Sequence, residues 1–481
     1  MHKFILGLPS NSSLSYQSIP PVSTPLPPIP VEASEKIAYN STNRIKKGGP
    51  AVKIAIATLG CKVNQYETQA LEGELARRGH VLVPFEAQAD AYIVNTCSVT
   101  AVGDQKSRQL VRRARRLHPE AVVAVCGCYS QTHPEEARAL GADLVAGSGD
   151  RMGFLSLLEE LFQKRSPRFA VDDALSRRAF EVLPPGGLEG RTRAMLKVED
   201  GCTNFCSYCI IPYARGPVRS LPLDAAAEQA AALAAQGFRE IVLTGIELSS
   251  WGRDLPGRPS LLRLLEAVCA AAPGLRLRLG SLEPRTITPE FAAGLARLPQ
   301  LCPHFHLSLQ SGCDDTLRRM NRKYDSARYY ESVELLRDNF PQPGLTTDLI
   351  VGFPGETEAD FQASLDFVEK CRFSALHVFP YSPRPGTPAA QMPGQLPQEE
   401  KKRRVHLASA LAERLRRAYL EGLVGQSLPV LFEEEKDGLW HGHAPNYVDV
   451  YAPGEGLHNL VRPVLLTALH RDGLLGQATA P

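Results

Sequence analysis

The chain from residue 52 onward alternates short apolar runs with longer stretches in which apolar residues recur at helical spacing. Residues 52–57 predict a buried strand, and residues 64–78 predict the helix that follows it. Further strands are predicted at residues 91–95, 121–125 and 143–146, with helices at residues 105–117 and 154–162. This alternation is typical of a small parallel sheet with helices on both faces. It predicts an amino-terminal α/β domain over residues 51–165.

A linker rich in Pro, Gly and Arg is predicted at residues 166–190, and the strand and helix alternation then resumes six times. The predicted strands are residues 194–198, 240–244, 275–279, 304–309, 345–351 and 375–379. The predicted helices are residues 224–236, 260–271, 289–298, 327–338 and 358–371. Repeated βα units of this length form a barrel whose active site lies on the loops after the strands. Six units predict a partial TIM-type (βα)6 barrel within residues 191–423, open on one side to a large substrate.

The two ends of the chain differ from this pattern. A charged amphipathic helix is predicted at residues 398–423, and short alternating segments follow at residues 427–433, 439–444, 447–451 and 462–469. These segments predict a small β-barrel of roughly five strands in residues 424–481. Residues 1–50 are rich in Pro and Ser, carry too little apolar content to fold, and are predicted to be disordered. The fold class is therefore α/β with a carboxyl-terminal β-barrel.

Overall composition and net charge indicate little about function, but the position of the charged residues along the chain is more informative. The chain has 481 residues, room for two or three domains, and a formal net charge of +2. Basic runs at residues 106–116 and 401–417 are suited to a polyanion, but each also fits a solvated helix face. No apolar run approaches the length of a membrane span, and the chain ends in polar sequence. We expect a cytoplasmic protein with no membrane partner.

Eleven cysteines, an odd number, do not predict a disulfide framework. Three of them, Cys202, Cys206 and Cys209, stand in the sequence GCTNFCSYC. Three thiolates hold a four-iron cluster and leave one iron free to bind another molecule. A structural zinc ion fits less well, because no fourth ligand lies nearby. A disulfide with one spare thiol fits less well again, since the chain has the pattern of an intracellular protein.

Three other cysteines each follow a predicted strand of the amino-terminal domain: Cys61, Cys97 and Cys128. The carboxyl ends of parallel strands lie along one edge of a sheet, so these thiols are expected to meet. Each alone also fits a buried small hydrophobe, and spacing does not exclude zinc. Cys126 lies within the predicted strand, whereas Cys128 follows Gly127 in the loop, and we therefore favour Cys128 as the ligand.

The cysteine motifs resemble those of a known family. The loop GCTNFCSYC resembles the signature of the radical S-adenosylmethionine (SAM) superfamily. Residues 58–67 (TLGCKVNQYE), 94–100 (VNTCSVT) and 126–129 (CGCY) resemble the motifs of the methylthiotransferases within it. The resemblance extends from about residue 52 to the carboxyl terminus, and it implies two [4Fe-4S] clusters. One, held by Cys202, Cys206 and Cys209, would cleave SAM to a radical, and the other, held by Cys61, Cys97 and Cys128, would carry the sulfur to be inserted.

Other motifs of this family follow successive barrel strands: LTGIE at residues 243–247, GSLEP at 280–284, HLSLQSG at 306–312 and DLIVGFPGE at 348–356. The resemblance implies SAM contacts from Gly245, Glu247, Ser281, Glu283, Gln310 and Gly352. The alternative is that these segments are only tight βα turns. The predicted carboxyl-terminal barrel resembles the TRAM domain of RNA-modifying enzymes, with a passive packing module as the alternative.

Residues 59–67 look most like the branch that modifies threonylcarbamoyl adenosine in tRNA. This implies a tRNA methylthiotransferase that makes the 2-methylthio derivative of N6-threonylcarbamoyladenosine next to the anticodon. An external one-electron donor such as flavodoxin or ferredoxin would be needed, and a sulfur donor of unknown identity. The alternatives are isopentenyl adenosine in tRNA, an aspartate of a ribosomal protein, and a non-catalytic RNA-binding protein with structural metal sites.

Three further positions bear on this interpretation. Glu199 stands where the branch often has glutamine. Arg215 and Arg219 follow the cysteine loop and are candidates to bind a substrate phosphate or the threonyl carboxylate, with a structural ion pair as the alternative for each.

Overall fold

A computed structural model describes residues 51–185 and 191–478. The predicted disordered segment, residues 1–50, lies outside the described residues, as do residues 186–190 of the predicted linker.

The amino-terminal part is a parallel sheet. Its strands are β1 (Lys53–Thr58), β2 (Val81–Val83), β3 (Ala91–Thr96), β4 (Val122–Gly127), β5 (Leu144–Ala146) and β6 (Arg168–Ala170). They lie in the order β2-β1-β3-β4-β5-β6, and every neighbouring pair is parallel. The helices are α1 (Lys62–Arg77), α2 (Ala101–Leu117), α3 (Cys128–Thr132), α4 (Pro134–Ala139) and α5 (Arg151–Gln163). The pattern does not predict β2 or β6, because three-residue edge strands carry too short an apolar run. β6 also shows that the sheet continues into the predicted linker.

Helices cover both faces of this sheet, as the sequence predicts. Successive strand residues face opposite sides. Ile54 and Ile93 belong to a core with side chains of α1 and α5. Their neighbours Ala55 and Val94 belong to a second core with side chains of α2.

The central part contains all six predicted barrel strands. Its strands are β7 (Arg193–Lys197), β8 (Glu199–Asp200), β9 (Arg219–Ser220), β10 (Glu240–Thr244), β11 (Arg276–Leu279), β12 (Ser281–Leu282), β13 (His304–Leu307), β14 (Gly344–Val351) and β15 (Ala375–Pro380). Its helices are α6 (Ile211–Arg215), α7 (Leu223–Ala235), α8 (Leu261–Ala271), α9 (Pro289–Ala296), α10 (Asp314–Arg319), α11 (Ser326–Asn339), α12 (Glu358–Cys371) and α13 (Gln398–Glu421). The short antiparallel pair β8-β9 and the helices α6 and α10 are not predicted.

The barrel wall is divided into two parallel sheets, β11-β10-β7 and β12-β13-β14-β15. The predicted third strand, residues 275–279, corresponds to β11, and the chain then turns at Gly280 into β12, which is not predicted: β11 pairs with β10, and β12 pairs with β13. Gly280 is close to β10, where its N–H donates to the carbonyl of Leu243 at 2.7 Å.

The two faces of the barrel strands differ sharply in polarity. Apolar residues such as Leu243, Leu279 and Leu307 pack outward with the helices in one large core. The alternate positions, which face the lumen by the period of the strand, are Glu240, Thr244, Arg278, His304, His306, Thr346, Asp348 and His377. The lumen is therefore polar and suited to a polar substrate.

The carboxyl-terminal part is the predicted small barrel. Its strands are β16 (Ser427–Lys436), β17 (Leu439–His443), β18 (Asp449–Ala452), β19 (Val461–His470) and β20 (Gly473–Ala478), closed in the order β16-β17-β18-β20-β19. The fifth strand, β20, lies beyond the four segments that the pattern indicates. The predicted domain boundaries at residues 165, 190 and 423 stay predictions.

Candidate active site

The cysteines of the amino-terminal sheet lie at one edge of it. Cys61 precedes α1, Cys97 follows β3, and Cys128 is the first residue of α3 after β4. Because β1, β3 and β4 are adjacent and parallel, their carboxyl ends bring the three residues to the same edge.

Two glycines let these loops approach closely. Gly60 has a φ of 105°, and a Cβ at this position would lie 3.0 Å from the Sγ of Cys97. Gly127 also has a φ of 105°, and its Cβ would lie 2.5 Å from the carbonyl oxygen of Thr96. Any side chain would push the cysteine loops apart, so glycine is required at both positions.

The three thiols interact electrostatically. Desolvation raises the pKa of Cys61, although this residue is exposed where it lines a cavity. Burial raises the pKa of Cys97 to about 12. The thiol of Cys128 adds to the rise at both, so its sulfur lies near theirs. No cysteine of residues 51–185 and 191–478 forms a disulfide.

Cys126 and Cys128 have different surroundings. Cys126 is fully buried in the core between the sheet and the helices α1 and α5. The Sγ of Cys128 instead accepts a hydrogen bond from Nε of Arg215 at 3.3 Å. Cys128 is therefore the one whose sulfur lies beside Cys61 and Cys97.

The second group of cysteines, Cys202, Cys206 and Cys209, stands on the loop between β8 and α6. This loop is held by backbone hydrogen bonds: the N–H of Ser207 donates to the carbonyl of Met320 at 3.0 Å, and the carbonyl of Ser207 accepts from the N–H of Ala389 at 2.8 Å. Burial raises the pKa of Cys202, and it raises the pKa of Cys209 to about 12. Cys128 contributes to the rise at Cys209, so the two cysteine groups are neighbours.

Each group has an arginine against one sulfur. Nη1 of Arg322 donates to the Sγ of Cys206 at 3.3 Å, and Arg215 donates to Cys128 as described above. Arg322 is held in place by the carbonyl of Ser308, which accepts from its Nη2 at 3.1 Å. A buried cation next to sulfur favours the thiolate form, which is the form that binds iron. The donor sets therefore fit two clusters, each with three thiolate ligands.

A buried ionic network joins the two domains at this point. Glu67 of α1 accepts from Arg215 at 2.5 Å, from Arg151 at 2.7 Å and from Lys197 at 3.1 Å, and all four side chains are fully buried. Burial alone would raise the pKa of Glu67, but the three cations outweigh it and hold the pKa well below its usual range. The network fixes Arg215 against Cys128.

Arg215 and Arg219 are both held inside the protein. Nη2 of Arg215 donates to Asn64 at 2.5 Å, and Nη1 of Arg219 donates to the carbonyl of Arg215 at 2.9 Å. Nη2 of Arg219 lies 3.4 Å from Oδ2 of Asp200. These contacts support the structural alternative for both arginines over contact with a substrate.

The predicted SAM-binding residues lie after the barrel strands. Gly245 packs on Glu199, and a Cβ at position 245 would lie 2.7 Å from Oε2 of that glutamate. The same Oε2 accepts a hydrogen bond from the N–H of Glu247 at 2.7 Å. The carboxylate of Glu247 accepts from Ser249 at 3.1 Å and lies near Cys202, whose pKa it helps to raise. Burial raises the pKa of Glu247, and Glu283 adds to that rise, so these two carboxyl groups are also neighbours.

The remaining predicted SAM residues are more dispersed. Ser281 lines a cavity together with Gly245, while Glu283 pairs with Arg285 at 2.9 Å. Gln310 follows β13 and pairs through its backbone with β14, and Gly352 follows β14. Both have positive φ, 70° for Gln310 and 72° for Gly352, which marks sharp turns at the ends of these strands.

One cavity of about 580 Å³ connects the three parts of the chain. Cys61 and Lys62 line it from the amino-terminal part, Gly245 and Ser281 from the ends of barrel strands, and His443, Tyr447 and Asp449 from the carboxyl-terminal barrel. Cys61 thus opens onto the same space as two predicted SAM residues. The cavity has room for a nucleobase and its substituent.

Several residues of this cavity are not among the predicted site residues. His304, His306, Asp348 and His377 line it from barrel strands, and Nε2 of His306 lies 3.4 Å from Oδ2 of Asp348. Burial holds the pKa of His304 well below its usual range, so this imidazole is neutral. The signal that identifies them is polar residues at alternate positions of a strand whose other positions are apolar.

Lys62 is another such residue. It follows Cys61 directly, lines the cavity, and forms no hydrogen bond or ion pair with any residue in the described part of the chain. Its pKa is lowered by burial, while the nearby cations Arg278 and Arg193 lower it further. Those arginines are themselves paired, with Glu240 at 2.7 Å and Glu433 at 2.9 Å. Lys62 is therefore the cation in this wall that is left for a substrate.

Comparison with known proteins agrees with this geometry. Residues 196–368 match the radical SAM superfamily, and residues 53–147 match the uncharacterized protein family UPF0004. A solved structure of the radical SAM methyltransferase TsrM from Kitasatospora setae, with cobalamin and a [4Fe-4S] cluster bound, aligns with a TM-score of 0.50 at 19% identity. The alignment covers 71% of this chain and 77% of that one, and at this identity it concerns the fold alone. Fold and cysteine loop together define a radical SAM protein.

Two relatives define the family more closely. The chain is 40% identical over 408 residues to threonylcarbamoyladenosine tRNA methylthiotransferase MtaB of Bacillus subtilis, covering 83% of this chain and 90% of the relative. It is 37% identical over 429 residues to the protein of the same name from Thermotoga maritima, covering 88% of this chain and 96% of that relative. The chain belongs to the tRNA methylthiotransferase family of radical SAM enzymes. Its cofactors are accordingly two [4Fe-4S] clusters and SAM. Within the described residues, every helix is too short or too polar to span a membrane.

Proposed function

We propose that this enzyme converts N6-threonylcarbamoyladenosine next to the anticodon of tRNA into its 2-methylthio derivative. The observation that carries the proposal is the pair of neighbouring cysteine groups, one of which opens through Cys61 onto the cavity lined by Gly245 and Ser281. A reaction that needs both a radical and a sulfur atom requires this proximity. The names of the two relatives support the substrate.

The cluster ligands follow from the two groups. Cys202, Cys206 and Cys209 hold the cluster that binds SAM, and Cys61, Cys97 and Cys128 hold the second cluster. SAM is contacted by Gly245, Glu247, Ser281, Glu283, Gln310 and Gly352. In this division, residues 51–165 form the sulfur-cluster domain, residues 191–423 the radical SAM core and residues 424–481 the TRAM domain.

When bound, the clusters and SAM supply a 5′-deoxyadenosyl radical and the sulfur that replaces hydrogen at C2 of the base. The protein's own contribution is placement and charge. Arg322 and Arg215 stabilise the thiolates of Cys206 and Cys128. The Glu67 network keeps Arg215, and with it the Cys128 loop, fixed against the central barrel. Cys97, Cys128 and Cys206 are buried, which shields their sulfurs from water, whereas Cys61 is exposed toward the cavity.

Lys62 binds the threonyl carboxylate of the substrate. It lies beside Cys61 and has no ion-pair partner among the described residues, so a carboxylate bound to it places the modified base next to the sulfur site. A carboxylate partner also offsets the lowering of the lysine pKa by burial. The isopentenyl substituent of the alternative tRNA substrate has no charge and leaves this ammonium group without a partner.

The tRNA itself is held at least in part by α2. Lys106, Arg113 and Arg116 line an exposed depression on this helix. The second basic run, residues 401–417, is largely used in ion pairs, such as Arg404 with Glu356 at 2.7 Å and Arg414 with Glu369 at 2.8 Å. Binding to phosphates predicts affinity that falls as salt rises. A tRNA substrate also implies a cytoplasmic enzyme, supplied with electrons by a carrier such as flavodoxin or ferredoxin.

The proposal is tested by anaerobic assay of the reconstituted enzyme with SAM, a reductant and sulfide. The substrates are tRNA carrying threonylcarbamoyl adenosine and, in parallel, tRNA carrying isopentenyl adenosine. We expect the methylthio nucleoside from the first substrate and essentially none from the second. Methylthiolation of the isopentenyl tRNA instead, or SAM cleavage without modification of either tRNA, would contradict the assignment.

A further inference from the structure

The carboxyl-terminal barrel contains a group of two histidines and an aspartate that the proposed reaction does not use. His441 and His443 are alternate residues of β17, so their side chains share one face of the barrel. Asp449 is the first residue of β18 and is the direct partner of His443 across the strands. Both histidines are buried, and Asp449 is partly exposed toward the cavity.

The distances between their polar atoms match a metal site. Oδ1 of Asp449 lies 3.1 Å from Nε2 of His441 and 3.3 Å from Nε2 of His443. Zinc bonds to nitrogen and oxygen are about 2.0–2.1 Å, so neighbouring ligands of a tetrahedral ion lie ~3.3 Å apart. Within residues 51–185 and 191–478, no other group of three His, Cys, Asp or Glu side chains brings its ligand atoms within 4.8 Å of one another.

The surrounding side chains orient these ligands as they do in metal sites. Nδ1 of His443 lies 2.5 Å from Oε1 of Glu433, so a carboxylate faces the nitrogen that would not bind the metal. Oδ2 of Asp449 lies 3.3 Å from Nη2 of Arg416, which leaves Oδ1 for the histidines. Carboxylate partners of this kind fix the tautomer of a ligating histidine.

Aromatic rings fix the imidazole planes. The ring of Tyr447 stacks on His443 with centroids 4.9 Å apart, and the ring of Tyr451 lies 4.9 Å from His441. The ligands are therefore held in place before any ion binds, which reduces the entropy lost on binding.

We infer that His441, His443 and Asp449 bind a divalent transition-metal ion, for which zinc is the best match to two nitrogens and one oxygen. The fourth position faces the cavity that His443 and Asp449 line, and water or an oxygen ligand fills it. The site is separate from both cysteine groups and does not depend on the proposed substrate.

The test uses the full chain, anaerobically reconstituted with both iron–sulfur clusters, incubated with zinc sulfate and passed through a desalting column. Zinc is measured by elemental analysis, and its ligands by X-ray absorption at the zinc edge, where iron does not interfere. We expect about one zinc ion per chain with nitrogen and oxygen neighbours near 2.0–2.1 Å and no sulfur neighbour near 2.3 Å. Absence of retained zinc, or sulfur neighbours that indicate binding to cysteines, would overturn the inference.

Variants locate the site. His441→Gln and Asp449→Asn each remove one ligand while retaining polar contacts, and each should lower retained zinc at least tenfold without changing the iron content. His458→Gln is the matched control, because this histidine lies in the same barrel and its one side-chain hydrogen bond within the described residues is to the backbone carbonyl of Glu433. Full zinc retention in both ligand variants would refute the assignment. If a variant fails to fold, the zinc-edge absorption spectrum of the wild type still tests whether the ligands are nitrogen and oxygen.

Discussion

Replacing Lys62 by glutamine tests how the enzyme recognises its substrate. Glutamine keeps a side chain of similar length and polarity but removes the ammonium group that faces the cavity beside Cys61. The carboxylate of the threonylcarbamoyl group then loses its cationic partner. Position 62 lies outside the cluster ligands, so K62Q should retain the iron content of the wild type.

The size of the effect follows from the surroundings of Lys62. It has no ion-pair partner among the described residues, so its full interaction is available to the substrate. A hydrogen bond between charged groups in a partly buried site contributes about 1.5–3 kcal/mol, which corresponds to roughly a 10- to 150-fold fall in kcat/KM. The loss should appear mainly in KM if the contact is equal in the ground and transition states.

The assay compares two anticodon stem-loops, one with threonylcarbamoyl adenosine and one in which the carboxylate is replaced by a carboxamide. Wild-type enzyme should disfavour the amide by about the same factor that K62Q loses on the acid. K62Q should treat the two substrates alike, because the interacting pair is already broken. Lys53→Gln, at the opposite end of β1 and exposed, is the control and should behave as the wild type. Equal discrimination against the amide by K62Q and wild type would refute this role.

Three further predictions concern the cluster ligands and the buried carboxylates. C128S should contain about half of the wild-type iron, since a [4Fe-4S] cluster needs its thiolate ligands, whereas C126S should contain all of it. Loss of iron in C126S alone would reverse the ligand assignment. E67Q should lower the unfolding free energy by about 3–5 kcal/mol, because Arg151, Lys197 and Arg215 would keep buried charges without their anion. Denaturant unfolding measures this against the exposed control E135Q, and a change below about 0.5 kcal/mol in E67Q would contradict it. Burial raises the pKa of Glu199 well above its usual range, so the folded protein holds a proton that the unfolded chain releases. The unfolding free energy of the wild type should therefore fall relative to E199Q by about 1.4 kcal/mol per pH unit as pH rises from the pKa of Glu199 in the unfolded chain to its pKa in the folded protein. Melting temperatures of the two proteins that change with pH in parallel would contradict this.

The pH behaviour of Glu199 also explains a departure in the sequence. A protonated glutamate presents one donor and one acceptor, as glutamine does. Its Oε2 accepts from the N–H of Glu247, and its Oε1 has no partner among the described residues. A protonated Glu199 can therefore make the contacts that glutamine would make at this position.

The sequence predicts most of the fold because apolar periodicity and strand order agree in each part. It predicts the six barrel strands and the closed barrel at the carboxyl terminus, which the structure confirms. It misses the two- and three-residue strands β2, β6, β8, β9 and β12, which are too short to show an apolar period, and it also misses β20. The division of the barrel wall at Gly280 is also missed, because the predicted strand ends at residue 279 and β12 has only two residues.

The site is predicted less completely than the fold. The cysteines stand in recognisable motifs, and strand order brings each group together. The Glu67 network and the arginines beside the cysteine sulfurs are not predicted. They depend on contacts between residues far apart in the chain, such as Glu67 and Arg215, and no local sequence pattern indicates such a contact. The cavity likewise combines three parts of the chain, so Lys62, His443 and Asp449 become neighbours only in the folded protein.

The most direct measurement is mass spectrometry of nucleosides from the tRNA of a strain that lacks this gene. The account predicts loss of 2-methylthio-N6-threonylcarbamoyladenosine and accumulation of its precursor without the methylthio group. The wild-type gene should restore the nucleoside, and genes for C61A or C202A should not. An unchanged level of that nucleoside, together with loss of the methylthio group from isopentenyl adenosine or a ribosomal aspartate, would contradict the substrate assignment.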